Sequence, residues 1–157
     1  MLILEVNNTI VTPALALLPK KMDTKEARQI LLTIGLQESL FKYRQQINGP
    51  ARGFWQFEKG GGMRGVLTHP ATAGYAKEIQ QERGHGVGVN AAFDALDKDD
   101  IFAAAMARLL MWSDPFPLPE LDQVQRAWKF YERTWRPGKP HPDKWPGFHK
   151  QVQEALK

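Results

Sequence analysis

The chain of 157 residues contains no cysteine. Disulfides, thiolate metal sites and thiol nucleophiles are therefore excluded, while the redox compartment stays undetermined. No apolar run approaches the length of a membrane span. The N-terminus does not read as a signal peptide, because Glu5 interrupts the early apolar residues, no basic segment precedes them and no small-x-small site follows. The four histidines, His69, His85, His141 and His149, lack His-Glu-x-x-His spacing, which points away from a zinc amidase or metallopeptidase. The glycine run Gly60-Gly61-Gly62 has no Lys-Ser or Lys-Thr after it and is not a phosphate loop. Gly84–Gly88 lacks the βαβ setting of a dinucleotide site. Blocks of like charge are absent too: 21 basic residues stand against 17 acidic ones, scattered along the chain. That scatter gives no support for nucleic-acid binding. A net charge of +4 fits either plain solubility or an anionic partner such as a cell-wall polymer.

What is present is helical periodicity. At 43% hydrophobic residues the composition is that of a globular chain, and the length suits one domain over residues 1–157. Thr12-Pro13 reads as an N-cap followed by proline, predicting a short helix over 13–18. Asp23 or Thr24 caps a long helix predicted over 25–44. Residues 45–68 are irregular and glycine-rich, with a short strand or turn at 54–57 and a mobile loop at 60–62, either a surface turn or a lid beside a cleft. Further helices are expected from His69-Pro70 to about Arg83, closed by Gly84, at 90–96, at 101–112, at 121–135 and at 146–156. The 101–112 segment is apolar nearly all round and belongs at the centre of the core. No repeat and no convincing sheet is visible, so the fold class is mainly α with one irregular loop or β-hairpin region.

One residue disturbs this pattern. In the helix read over 25–44, Ala27, Leu31, Ile34, Glu38 and Phe41 share one stripe, at spacings of three, four and seven. A carboxylate on an apolar stripe is costly unless paired or protonated, and burial raises its pKa. A carboxylic acid that stays protonated near neutral pH is what general-acid cleavage of a glycosidic bond requires. A helix end where the carboxylate escapes to water, or a structural ion pair, would satisfy the same periodicity.

The surrounding residues carry a resemblance. Ile34-Gly35-Leu36-Gln37-Glu38-Ser39 is followed by Gly49-Pro50-Ala51-Arg52-Gly53-Phe54-Trp55-Gln56-Phe57-Glu58. This resembles the lysozyme-like superfamily, specifically lytic transglycosylases and goose-type lysozymes, in which a Glu-Ser pair ends a helix and a Gly-Leu-Met-Gln segment follows a loop. Phe54 and Trp55 stand where that segment has Leu and Met. The resemblance is clearest over residues 34–58. It implies a mainly helical, lysozyme-like domain that cleaves the β-1,4 bond between N-acetylmuramic acid and N-acetylglucosamine in peptidoglycan, with no metal or organic cofactor.

The resemblance also implies roles. Glu38 is the catalytic acid and Ser39 helps hold the substrate or the acid. Gln56 lines the cleft and orients sugar hydroxyls, unless it bonds its own loop backbone instead. Trp55, inside the motif, offers a surface for sugar stacking. Glu58 falls two residues past the glutamine, where goose-type lysozymes carry an Asp, and is a second carboxylate for a water-using reaction or a solvated residue beside Lys59. Tyr131 lies near the position of the family's Ala-Tyr-Asn-Ala-Gly motif. The following Glu132-Arg133-Thr134 depart from it, so only the Tyr131 hydroxyl is carried over, as a contact for Glu38. A lytic transglycosylase stands slightly ahead of a hydrolytic muramidase. The alternatives are a non-catalytic phage structural protein that grips glycan or virion subunits, and a chitinase-like glycosidase. A wall-cutting enzyme without an export signal implies phage origin, with release from the host cytoplasm or carriage in the virion.

Overall fold

Proline does not open the first helix. In the computed structural model, which describes residues 1–157, helix α1 runs through Ile3–Val6, a π turn at Asn7–Val11 and Thr12–Ala16. A proline inside a helix ordinarily removes a hydrogen bond and clashes with the carbonyl four residues back. The π turn just before Pro13 widens the helix at that point. The Asn7 carbonyl there accepts both the Thr12 N–H and, at 2.9 Å, the Thr12 hydroxyl. The expected N-cap Thr12 is therefore an interior residue, and the helix reaches back to Ile3.

After a 3₁₀ turn at Lys20–Met22, Thr24 caps helix α2, Lys25–Ser39, by accepting the Ala27 N–H at 3.0 Å. The start matches the sequence expectation and the end does not. The helix stops at Leu40 and Phe41, which both take left-handed backbone conformations, φ 58° and 52°. That conformation is costly for side chains other than glycine, so something must hold it. Phe41 folds its ring back onto the helix face at Gly35, where a Cβ would overlap the ring. Phe41 is 1% exposed, and the apolar burial offsets the backbone cost. Periodicity cannot see such a reversal.

The irregular segment that follows contains only isolated antiparallel bridges, Gln45 with Arg52 and Arg52 with Phe57. The glycine run, expected as an open loop, lies in a π-helical turn at Lys59–Met63, broken at Gly61. It continues directly into α3, Arg64–Thr68, a helix that residue patterning did not reveal. Next come α4, Ala73–Glu82, α5, Gly88–Ala95, and α6, Asp100–Trp112, capped by the Asp99 carboxylate on the Phe102 N–H. Helices α7, Val124–Trp135, and α8, Trp145–Ala155, complete the chain.

The fold is mainly α. Helix α6 is buried along nearly its whole length and packs against α1, α2, α3 and α4, while α8 lies along α2. One continuous apolar cluster runs from Val6 to Val152, so every helix contributes to the same core. No helix is long and apolar enough to cross a membrane.

Candidate active site

Glu38 occupies the last turn of α2, the negative end of the helix dipole, where a carboxylate gains nothing from the backbone. Its stripe neighbours Ala27, Leu31 and Ile34 are fully buried, and Glu38 itself is half-buried. No cation pairs with it. Its partner is Tyr131 of α7, whose hydroxyl donates to Glu38 Oε1 at 2.5 Å. Burial drives the Glu38 carboxyl up from 4.5 to about 7, and the tyrosine hydrogen bond, which favours the charged form, opposes the rise. The Tyr131 phenol is pushed up by burial first and by the adjacent carboxylate second, so it stays a hydrogen-bond donor throughout the range in which Glu38 titrates.

Tyr131 is held by aromatic packing. Trp145 from the first turn of α8 stacks on it at 5.2 Å with planes 17° apart, and Trp128, one turn back on α7, lies at 5.3 Å. Trp135, one turn on, is 6.4 Å away and donates its indole N–H to the Trp55 carbonyl at 2.9 Å. Trp55 in turn donates its own indole N–H to the Leu31 carbonyl of α2 at 2.8 Å. A closed circuit therefore joins α2, α7 and the 53–57 segment around the Glu38–Tyr131 pair.

The 53–57 segment is locked by shape. Gly53 has φ +80°, and a Cβ there would stand 2.9 Å from the Leu96 carbonyl oxygen. Only glycine satisfies both conditions. Phe54 and Trp55 pack edge-on against Phe41, each at 5.6 Å. The motif Gly53-Phe54-Trp55-Gln56 thus secures the end of the helix that carries Glu38.

This placement corrects one expectation and defines the setting of the other site residues. Trp55 is 1% exposed, with its ring inside the core, so it presents no face to a sugar. Ser39 is also buried. Its hydroxyl donates to the Gly35 carbonyl at 3.1 Å and accepts the Phe41 N–H at 3.2 Å, which fastens the end of the helix that carries Glu38. Gln56 is half-buried, in a left-handed conformation, and its amide donates to the Gly53 carbonyl at 2.8 Å. That is the loop-bonding alternative, with the amide oxygen left over. Glu58 is exposed and makes no ion pair.

Two contributors escaped sequence reasoning. Trp145 stands one residue before the helix predicted over 146–156, and the packing of α8 on α7 brings it to Tyr131. Gln37, beside the acid, donates to the His141 carbonyl at 3.0 Å and ties α2 to the 136–142 segment. Trp145 is spaced three and seven residues before Phe148 and Val152, which is a signal of the buried face of α8, whereas the Gln37 contact leaves none. The 121–135 periodicity did place Trp128, Tyr131 and Trp135 on one face, which was the available clue.

No group of three or more His, Asp or Glu side chains has metal-holding geometry. Clefts of about 690 Å³ and 430 Å³ lie along the 114–120 segment, and neither is lined by Glu38 or Tyr131. In comparisons with protein-family models, with curated proteins and with solved structures, nothing matches this chain.

Proposed function

We propose that the protein is a lysozyme-like glycosidase that cleaves the β-1,4 bond between N-acetylmuramic acid and N-acetylglucosamine in peptidoglycan, acting as a lytic transglycosylase of phage origin. The observation that carries the reading is the pairing of Glu38 with Tyr131. It provides a carboxyl without a counter-ion, poised at about 7, with one oxygen engaged by a buried hydroxyl.

The chemistry follows from that pair. With Tyr131 donating to Oε1, the carboxyl proton belongs on Oε2. From there it passes to the glycosidic oxygen as the C1–O bond breaks. The carboxylate left behind then accepts the proton of the muramic sugar's own 6-hydroxyl, which attacks C1 and closes a 1,6-anhydro ring. Each cycle returns Glu38 to its protonated form, so a pKa near the working pH suits both half-reactions. This route needs one carboxyl. The exposed, unpaired Glu58 adds no support to a route that depends on a second.

One observation favours a different reading. Trp55, read as a sugar-stacking surface, is buried in a structural role, and so is Ser39, read as holding the substrate or the acid. A non-catalytic protein of the same fold, gripping glycan strands or neighbouring virion proteins elsewhere on its surface, would tolerate that. The two readings separate in a turbidity assay on purified cell walls with mass spectrometry of the products. Clearing, abolished by Glu38→Gln, with products lighter by one water than reducing-end fragments, supports the transglycosylase. Absence of any cleavage, with glycan binding retained, overturns it.

A further inference from the structure

The other end of α2 holds a second buried charge without a partner. Arg108 projects from the largely buried helix α6 and is 2% exposed. Its Nε donates to the Met22 carbonyl at 2.8 Å, while its Nη1 has no acceptor in the protein. The nearest countercharge, Asp23, is engaged by both Nε and Nη2 of Arg28, at 2.8 and 2.9 Å. A guanidinium cannot shed its proton at ordinary pH, and an unpaired buried cation costs several kcal/mol on the general scale.

Arg108 lines the cleft of about 690 Å³, in the size range of small-molecule sites. The Trp112 ring lies 5.6 Å from its guanidinium, and Lys21 stands 5.3 Å over the same ring. Met111, Phe116 and Leu118 supply the apolar wall. Phe116 is 64% exposed, with the Arg133 guanidinium 5.4 Å from its ring. Glu26 and Glu120 also line the cleft, and neither makes an ion pair within the protein. They set a limit, since a ligand of more than one negative charge would meet them. Asp114 does not count against an anion in the same way, because Arg133 holds it bidentately at 2.8 and 3.0 Å.

We propose that this cleft is a binding site for a monocarboxylate with a bulky apolar body, its carboxylate taken by Arg108 and its body lying against Trp112 and Phe116. The preference for carboxylate follows from the planar guanidinium, which matches that group's geometry. The preference for an apolar body follows from the wall. Burial holds the Arg108 pKa down at about 10, and a bound carboxylate would reverse that direction. The site lies beside Thr24 and Glu26 at the opposite end of α2 from Glu38, on the order of 20 Å along a 15-residue helix. It is therefore separate from the Glu38–Tyr131 pair, and its test does not depend on the activity proposed for that pair.

The test uses the full chain labelled with ¹⁵N, titrated with N-acetyl-L-phenylalanine and, separately, with its uncharged amide. The reporter is the Trp112 indole N–H, assigned by its loss in Trp112→Phe. A saturable shift with the acid, at least about tenfold weaker with the amide, supports the site. No shift with the acid, or equal shifts with acid and amide, overturns it. Arg108→Met, chosen because it keeps an apolar stem in the core, is expected to abolish the acid's effect, and undiminished binding by a folded Arg108→Met protein overturns the role of Arg108. Should that variant fail to fold, the acid–amide comparison on the natural chain decides alone.

Discussion

The two ends of helix α2 pose the same electrostatic problem and answer it differently. At the C-terminal end Glu38 is a half-buried carboxyl with no cation near it. At the N-terminal end Arg108 is a fully buried guanidinium that makes no ion pair. The carboxyl responds by changing its protonation state, because the shift to about 7 falls inside the range that water reaches. The guanidinium, lowered only to about 10, keeps its charge. Desolvation thus has opposite chemical consequences for the two groups. It makes a group that can exchange a proton into a candidate acid–base, and a group that cannot into a candidate ligand holder.

The largest expected effect tests the first half of that contrast. Glu38→Gln keeps the shape of the side chain and removes its proton, and should lower the cleavage rate by about 10²–10⁴-fold. The same substitution should stabilise the fold above neutral pH. A carboxyl raised from 4.5 to about 7 destabilises the folded state once it ionises there. Its penalty is absent below 4.5, grows between 4.5 and 7 and is complete above 7. At full ionisation it is on the order of 3 kcal/mol. Thermal melts of both proteins from pH 4 to 8 should therefore coincide at the acid end and diverge at the alkaline end. Parallel melts would show that burial does not tune this carboxyl.

A smaller but still large effect is expected at Gly35. Alanine there should lower stability by about 1–3 kcal/mol, because its Cβ would overlap the Phe41 ring. This outweighs the roughly 1 kcal/mol that a Gly→Ala change ordinarily gains inside a helix. Denaturant unfolding measures it. A stabilised Gly35→Ala protein would mean that Phe41 is not what ends the helix. By contrast, Glu26→Ala at the other end of α2 should lower stability by only about 0.3–1 kcal/mol, through loss of a carboxylate from the positive end of the helix dipole.

Gly35 also marks the boundary of what the residues alone could reveal. The start of α2 was legible because capping is local: Thr24 and Ala27 are three positions apart. So was the burial of α6, since an apolar segment has few other places to go, and so was the unusual position of Glu38, because a stripe is a property of spacing. The end of α2 was not legible. It depends on Phe41 meeting Gly35, and a continuing helix would have preserved the same periodicity. Trp55 was misjudged for a related reason. An aromatic inside a binding motif looks available, and only the path of its indole to the Leu31 carbonyl makes it structural. Arg108 carried a signal that went unread, as the one charge inside the segment 101–112. The glycine run misled in the other direction, because it tolerates a distorted π turn when Gly62 can sit against Phe57, where a Cβ would lie 3.0 Å from the ring.

Tyr131→Phe should sharpen the account of how Glu38 is tuned. The hydroxyl favours the ionised carboxylate and so lowers the Glu38 pKa against the rise caused by burial. Its removal should move the Glu38 pKa further up, and the alkaline fall in activity should move to higher pH with it. A role confined to packing would leave the profile in place, because phenylalanine keeps the ring between Trp128 and Trp145. The measurement is the pH dependence of the cleavage rate for both proteins. A limb that moves to lower pH would show that the tyrosine opposes ionisation.

The smallest effect is expected at Glu58, and it decides between the two glycosidase chemistries. The residue stands at the spacing of the goose-type carboxylate, yet it is exposed, makes no ion pair and sits at the N-terminal edge of the Lys59–Met63 turn. A carboxylate that positions an attacking water must be held in place, and nothing holds this one. If the sugar's 6-hydroxyl is the nucleophile, Glu58→Gln should change the cleavage rate little and stability by no more than about 0.5 kcal/mol, with anhydro ends from both proteins. If water is the nucleophile, the same substitution should cripple the enzyme, and the products should carry reducing ends one water heavier. Reducing ends together with a strong Glu58→Gln defect would therefore turn the reading from one carboxyl to two.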